Sequence, residues 1–162
     1  MNIFAVDESP TRAAESLCDA HVTKMTVETA QLLSTAVTET LGVDHNKYGL
    51  YRKTHVNHPS NIWCRASKSN FEWLVFHGRA LAKEYRYRYN ASKDHKSLSV
   101  ILNASKFANY MPPGNRTRFL LAMPSEFYRD SDIESYRMYY RFKKKDMKLF
   151  RYTKREEPSW MN

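Results

Sequence analysis

The sequence predicts a mainly α-helical fold, a single compact domain over residues 1–162 with a short extended segment at its N-terminus. Three observations carry that expectation. Apolar residues recur at three-to-four spacing, as in Cys18, Val22, Met25, Thr29, Leu32 and Ala36. Helix-start signals such as Ser9-Pro10 and His58-Pro59-Ser60 stand ahead of these runs. The 162 residues, 42% of them hydrophobic, suffice for one core without disulfides or a structural metal.

Residues 2–6 read as a short strand or an extended apolar lead-in. Ser9 as N-cap and Pro10 at the first helical position open a helical pattern that runs to Leu41, with Gly42 as its C′ residue. A helix of that length is long for a small domain, so a break near Asp19 or Ala20 is open. Residues 42–57 read as a polar loop, and His58-Pro59-Ser60 starts a short helix. Ser67 or Ser69 then caps a longer one to Tyr89, with Phe71, Leu74, Gly78, Leu81 and Tyr85 as its core face. Asp94 is expected to cap a helix ending near Ala108. Residues 109–118, with Pro112-Pro113-Gly114, read as an exposed loop. The last helix is expected from Ser131 to Phe150, with acids first and bases last, as the helix dipole favours. No repeat, low-complexity tract or linker interrupts the chain.

The formal charge is +9 and unevenly placed. Residues 1–50 hold three Lys or Arg against seven Asp or Glu, and the remainder holds 23 against 10. Such asymmetry points to a polyanionic partner. Tyrosines interleaved with arginine, as in Tyr85-Arg86-Tyr87-Arg88-Tyr89, offer stacking surfaces beside phosphate contacts. A basic surface kept for solubility is the plainer alternative. The two cysteines make no secreted framework, and no apolar run approaches the roughly 20 residues that cross a bilayer. The first residues lack a basic leader and a long apolar region, so no membrane is expected and the cytoplasm is the expected compartment.

His21, Lys24, Glu28 and Gln31 recur at helical spacing and share one side of the first long helix. That side borders the apolar stripe, so Glu28 is expected to be partly buried beside Lys24. An ordinary solvated ion pair is the alternative. Cys18-x2-His21 and His55-x2-His58 supply four groups at zinc-like local spacing, a weak signal, and no metal or other cofactor is expected. Thr54-His55-Val56-Asn57-His58-Pro59-Ser60 sets hydrogen-bonding groups before a helix N-terminus. There they serve as a phosphate contact or as an internal cap. Arg137, Arg141, Lys143, Lys144, Lys145, Lys148 and Arg151 form a basic stretch whose other side Tyr136, Tyr139, Tyr140 and Phe142 are expected to bury.

Three stretches together resemble the phage-type pyrimidine dimer DNA glycosylases, the endonuclease V family. They are Leu17-Cys18-Asp19-Ala20-His21 with Glu28; His58-Pro59-Ser60 with the helix from Phe71 to Asn90, including Leu74, Glu84 and Arg88; and Pro124-Ser125-Glu126-Phe127 with Pro158-Ser159-Trp160. The resemblance implies a helical enzyme that flips nucleotides out of damaged double-stranded DNA and acts as a monomer. It implies an N-terminal α-amine that attacks the sugar C1′, an imine, and a strand nick by β-elimination. Asn2 disfavours removal of the initiator methionine, so Met1 is the expected amine, with Glu28 as the assisting carboxylate and His21 holding the site. The family's arginines beside the glutamate fall here at Val27 and Gln31. Phosphate clamping is therefore expected from Lys24, Arg52, Lys53 or Arg65. Gln31, His55, Asn57, His58, Lys143, Lys144 and Lys145 complete the expected DNA contacts. The alternatives are a non-catalytic DNA-binding module on the same frame and a phage enzyme acting on hypermodified bases.

Overall fold

The computed structural model describes residues 1–147 and 150–162; Lys148, counted above with the basic stretch, lies outside the described residues. The order is α1 (Pro10–Glu15), α2 (Asp19–Leu41), α3 (Pro59–Ala66), α4 (Lys68–Tyr89), α5 (Ser97–Ser105) and α6 (Asp132–Asp146), with short 3-10 turns at Ala108–Tyr110, Ser125–Phe127 and Ser159–Met161. No strand occurs among the described residues, and residues 2–6 form a buried lead-in that turns at Phe4, whose φ is 51°. No helix among them is long and apolar enough to cross a membrane.

Helices α2 and α4 form the centre of the packing: α4 meets α1, α3 and α5, and α2 meets α3, α4 and α5. Val22, Met25, Leu32, Leu33, Ala36 and Val37 carry the buried stripe of α2. Gly78 of α4 lets two neighbours come close. A Cβ there would stand 2.7 Å from Thr29 Cγ2 of α2 and 2.9 Å from Ile101 Cδ1 of α5. The helix ends follow local chemistry. Ser9, Ser67 and Ser131 cap α1, α4 and α6 by accepting a backbone N–H, and Gly42 closes α2 in the left-handed region.

The first helical pattern breaks at Ser16-Leu17-Cys18, and a buried arginine explains where. Arg88 of α4, its side chain 0% exposed, donates to the carbonyls of Leu17 at 2.6 Å and Glu15 at 2.8 Å. It also pairs with Glu84 at 2.8 Å and Asp19 at 3.2 Å. Carbonyls left over at a helix end thus find a donor. The C-terminal tail closes the cluster. Arg155 binds Glu84 at 2.6 Å, and Thr153 donates backbone N–H and hydroxyl to Asp19. Although burial opposes ionisation, these donors hold both the Asp19 and the Glu84 carboxyl below the usual range.

Three expectations are corrected. Helix α5 starts at Ser97, because Asp94 turns to Arg86 at 3.2 Å while His95 Nδ1 accepts the Ser97 N–H; it stops at Ser105, short of Ala108. Helix α6 ends at Asp146 rather than Phe150. Phe142 is 40% exposed instead of buried. The 109–118 stretch is exposed as expected apart from Met111 and Pro112, and backbone bonds tie it to the start of α4. Pro112 and Asn115 accept from Lys68 N–H and the Ser67 hydroxyl, and Met111 is buried.

His77 is enclosed where α4 meets α1, donating from Nδ1 to the Pro10 carbonyl at 3.0 Å and stacking on Trp73. Burial pushes its pKa down to about 4 from 6.5, and burial does the same to His21. Both rings are neutral in the fold and bind protons on unfolding, so their stabilisation is full above pH 6.5 and is lost as the pH falls toward 4. The urea midpoint is expected to drop between pH 7 and 5, and His77→Gln to flatten that slope by about half. Arg88→Met leaves buried carboxylates without their partner and is expected to cost about 3–5 kcal/mol in urea unfolding. A loss below about 1 kcal/mol, the range of surface ion pairs, refutes the anchoring role.

Candidate active site

The N-terminal segment is threaded into the protein by polar groups at both of its ends. Asn2 Oδ1 accepts the N–H of Ile3 and of Phe4, each at 2.8 Å, and Asn2 Nδ2 donates to the Ala122 carbonyl at 2.9 Å. This Asx-type turn holds Phe4 at φ 51°, a left-handed conformation that few bulky side chains adopt. Further along, Arg137 of α6 donates Nε to the Val6 carbonyl at 2.8 Å. Between these ties Ile3, Phe4, Ala5 and Val6 are buried.

The segment delivers the head of the chain to Glu28. The Asn2 backbone N–H donates to Glu28 Oε2 at 2.8 Å, and Lys24 Nζ stands 3.5 Å from Glu28 Oε1. Glu28 is 9% exposed, whereas the Lys24 side chain is 65% exposed. One carboxylate therefore faces the chain terminus from inside the protein and an exposed cation from outside. Gln31 and Val27 continue the same side of α2, half-buried. Beside Val27 a cavity of about 610 Å³ opens, with Thr23, Tyr51, Tyr85 and His95 in its wall.

His21 lies behind this site. Its ring stacks on Phe4 at 4.8 Å between centroids, and Nδ1 shares a 2.8 Å hydrogen bond with the Tyr140 hydroxyl, which also accepts the Cys18 N–H at 2.9 Å. Burial, then the charges of Lys24 and Lys143, push its pKa down to about 4. A neutral, 6% exposed imidazole supports Phe4 and reaches solvent little. Cys18 is buried at the N-cap of α2, and among the described residues no three His, Cys, Asp or Glu side chains cluster as metal ligands.

The 50–58 segment forms the opposite wall. Thr35 of α2 accepts the Thr54 N–H at 3.1 Å and donates back to its carbonyl, while Ser34 accepts the Tyr51 N–H. Arg65 is drawn inward, its Nη1 at 2.5 Å from both the Val56 carbonyl and Asn61 Oδ1. His58 also turns inward as the N-cap of α3, its Nδ1 accepting the Ser60 N–H at 3.2 Å. Burial first, then the positive α-amine and His55, lower the His58 pKa; Glu28 and a hydrogen bond to the Met1 backbone oppose them. Arg52, Lys53, His55 and Asn57 stay exposed on the same segment, with Lys53 paired to Glu39 at 3.0 Å.

The structure thus gathers Met1, Lys24, Glu28 and His58 at one place, with His55 and Asn57 exposed beside His58, whereas Arg52 and Lys53 lie with Thr38, Gly42 and His45 at the far end of α2. The basic end of α6 is divided. Lys143 stacks on Tyr139 next to the N-terminal segment, Lys144 is taken by Glu157 at 2.7 Å, and Lys145 is exposed. The sequence places Asn2 beside the initiator methionine and Arg137 and Tyr140 on the last helix, but gives none of them a part in holding this site. An Asn at the head of an apolar run was the one available signal, and the other two act across more than a hundred residues.

A family model for pyrimidine dimer DNA glycosylases matches residues 1–97, which span the N-terminal segment, α1 to α4 and the start of α5. No curated protein and no solved structure matches the chain. The matched part holds Met1, His21, Lys24, Glu28, His58 and the Glu84–Arg88 anchor. The chain belongs to the pyrimidine dimer DNA glycosylase family.

Proposed function

We propose that the protein is a DNA N-glycosylase with associated AP-lyase activity on a damaged or modified pyrimidine in double-stranded DNA, using the Met1 α-amine and Glu28. The 2.8 Å bond from Asn2 N–H to Glu28 carries the reading, since it joins the head of the chain to a sheltered carboxylate. The amine lone pair forms a bond to C1′ while the glycosidic bond breaks toward the base, which takes up a proton. Opening of the sugar ring then leaves an imine. Loss of a C2′ proton expels the 3′ phosphate. Glu28 stabilises positive charge as it develops at the sugar and carries protons in the elimination.

The electrostatic surface supports this reading. Lys24, Gln31, His55 and Asn57 border the site, Arg52 and Lys53 carry exposed charge further along, at the C-terminal end of α2, and Lys143 and Lys145 lie at the basic end of α6. The whole chain acts as one domain and as a monomer in this proposal. The tail residues Thr153 and Arg155, outside the matched part, complete the Asp19–Glu84–Arg88 cluster within it.

Borohydride trapping on abasic and dimer-containing duplexes tests the chemistry, with peptide mapping to locate the adduct. The adduct is expected on Met1 rather than Lys24, because the Asn2 N–H bond holds the head of the chain against Glu28 whereas the Lys24 side chain is 65% exposed. Glu28→Gln is expected to keep DNA affinity and lower nicking by about 10²–10⁴-fold. Parental nicking by Glu28→Gln refutes the mechanism. Duplex affinity is expected to fall by about 0.9 log units per contacted phosphate for each log unit of salt. Lys145→Glu should flatten that slope, and Lys144→Glu should do so less because Glu157 already neutralises it.

A further inference from the structure

Gly78 marks the side of α4 that packs on α2, at Thr29. The opposite side carries Phe76, Ala80, Lys83 and Tyr87, spaced by three or four residues as one helical stripe. With Leu98 and Leu102 of α5 this stripe walls a groove of about 1040 Å³. Phe76 is 53% exposed and Leu102 41%, while Leu98 is half-buried. Apolar surface gathered in a groove, rather than scattered singly, marks an interaction site. Neither Met1, Glu28 nor His58 lines it, so the groove is separate from the candidate active site.

The charge beside this apolar floor narrows the choice of occupant. Arg79, Lys83 and Arg86 stand along the groove against one carboxylate, Asp94. Arg86 is tied to Asp94 at 3.2 Å, whereas Arg79 and Lys83 are exposed and form no ion pair among the described residues. Nucleic acid satisfies only half of this pattern. Phosphates meet the cations, but Leu98 and Leu102 offer a base no stacking face. The Tyr87 ring already carries Lys154 at 5.2 Å and Arg155 at 5.0 Å. An acidic helix with one apolar face satisfies both halves, as helices recognised in grooves do through anchors at helical spacing. The stripe from Phe76 to Asn90 covers about 14 residues, or ~21 Å of helix, which matches a partner segment of about four turns.

We propose that the groove between α4 and α5 docks an acidic amphipathic helix of a partner protein. Its apolar side chains rest on Phe76, Leu98 and Leu102, and its carboxylates meet Arg79 and Lys83. The groove serves this role whether or not Met1 is the nucleophile.

The probe for the full-length protein is a fluorescent peptide of about 16 residues, with leucines on one helical face and glutamates on the others. A peptide of the same composition in scrambled order keeps the charge and loses the apolar face. The ordered peptide is expected to bind about tenfold more tightly than the scrambled one, the scale of one buried apolar side chain. Phe76→Ser is expected to weaken it about tenfold, with thermal melting and duplex DNA affinity parental. Lys83→Glu should weaken it as well, whereas Lys145→Glu on α6 should leave peptide affinity unchanged. Equal affinity for the two peptides, parental binding by Phe76→Ser, or displacement of the peptide by duplex DNA overturns the proposal. So does a dimer of the parent in sedimentation that Phe76→Ser dissociates, since a second copy then fills the groove.

Discussion

A fully buried guanidinium is the constraint on which the remaining structure depends. Arg88 cannot be stripped of water without replacement partners, and it draws them from four places: Glu84 one turn back, Asp19 at the head of α2, and the Glu15 and Leu17 carbonyls at the end of α1. The break between α1 and α2 is thereby both the cause and the consequence of this burial. A continuous helix would consume those carbonyls in its own hydrogen bonds. Because Asp19 begins α2, the cluster also sets the starting point of the helix that carries His21, Lys24 and Glu28.

From that fixed start the candidate site is assembled by groups distant in sequence. Glu28 projects seven residues after His21, on nearly the same side of α2. His21 supports Phe4, and Tyr140 of α6 supports His21. The Asn2 turn, with Phe4 in the left-handed region, bends the chain so that its apolar side chains are buried while the Asn2 N–H reaches Glu28. Strain at one residue is tolerable here because three hydrogen bonds from Asn2 and the Arg137 bond to Val6 over-determine the segment. The site is pre-organised by a short rigid lead-in rather than by a loop.

Positive charge on this protein serves two separate ends. Arg65, Arg88, Arg137 and Arg155 spend their guanidinium groups on internal carbonyls and carboxylates, each holding a segment in place. Lys24, Arg52 and Lys145 lie at the surface, where a phosphate backbone can meet them. The net charge of +9 combines both populations, so its size alone overstates the exposed basic footprint.

Much of the fold was legible in sequence because it is local. The stripe from Val22 to Ala36, the Ser9-Pro10 and Ser67 caps and the Gly42 stop each depend on residues within one or two helical turns. The grouping of Lys24 with Glu28 is legible for the same reason, being an i,i+4 relation on one helix. The false start of α5 at Asp94 shows the limit of such reasoning, since an available cap was outcompeted by an ion pair with Arg86. Local spacing could place Glu28 beside the core, but not at the chain terminus, because 26 residues and an entire helix intervene. By itself the sequence determined the helices, their faces and the candidate carboxylate. Tertiary structure alone decided that Arg88 is interior, that His21 supports Phe4, and that Met1, Glu28 and His58 meet. Those relations arise from desolvation and hydrogen-bond satisfaction between distant segments, which no periodicity along the chain encodes.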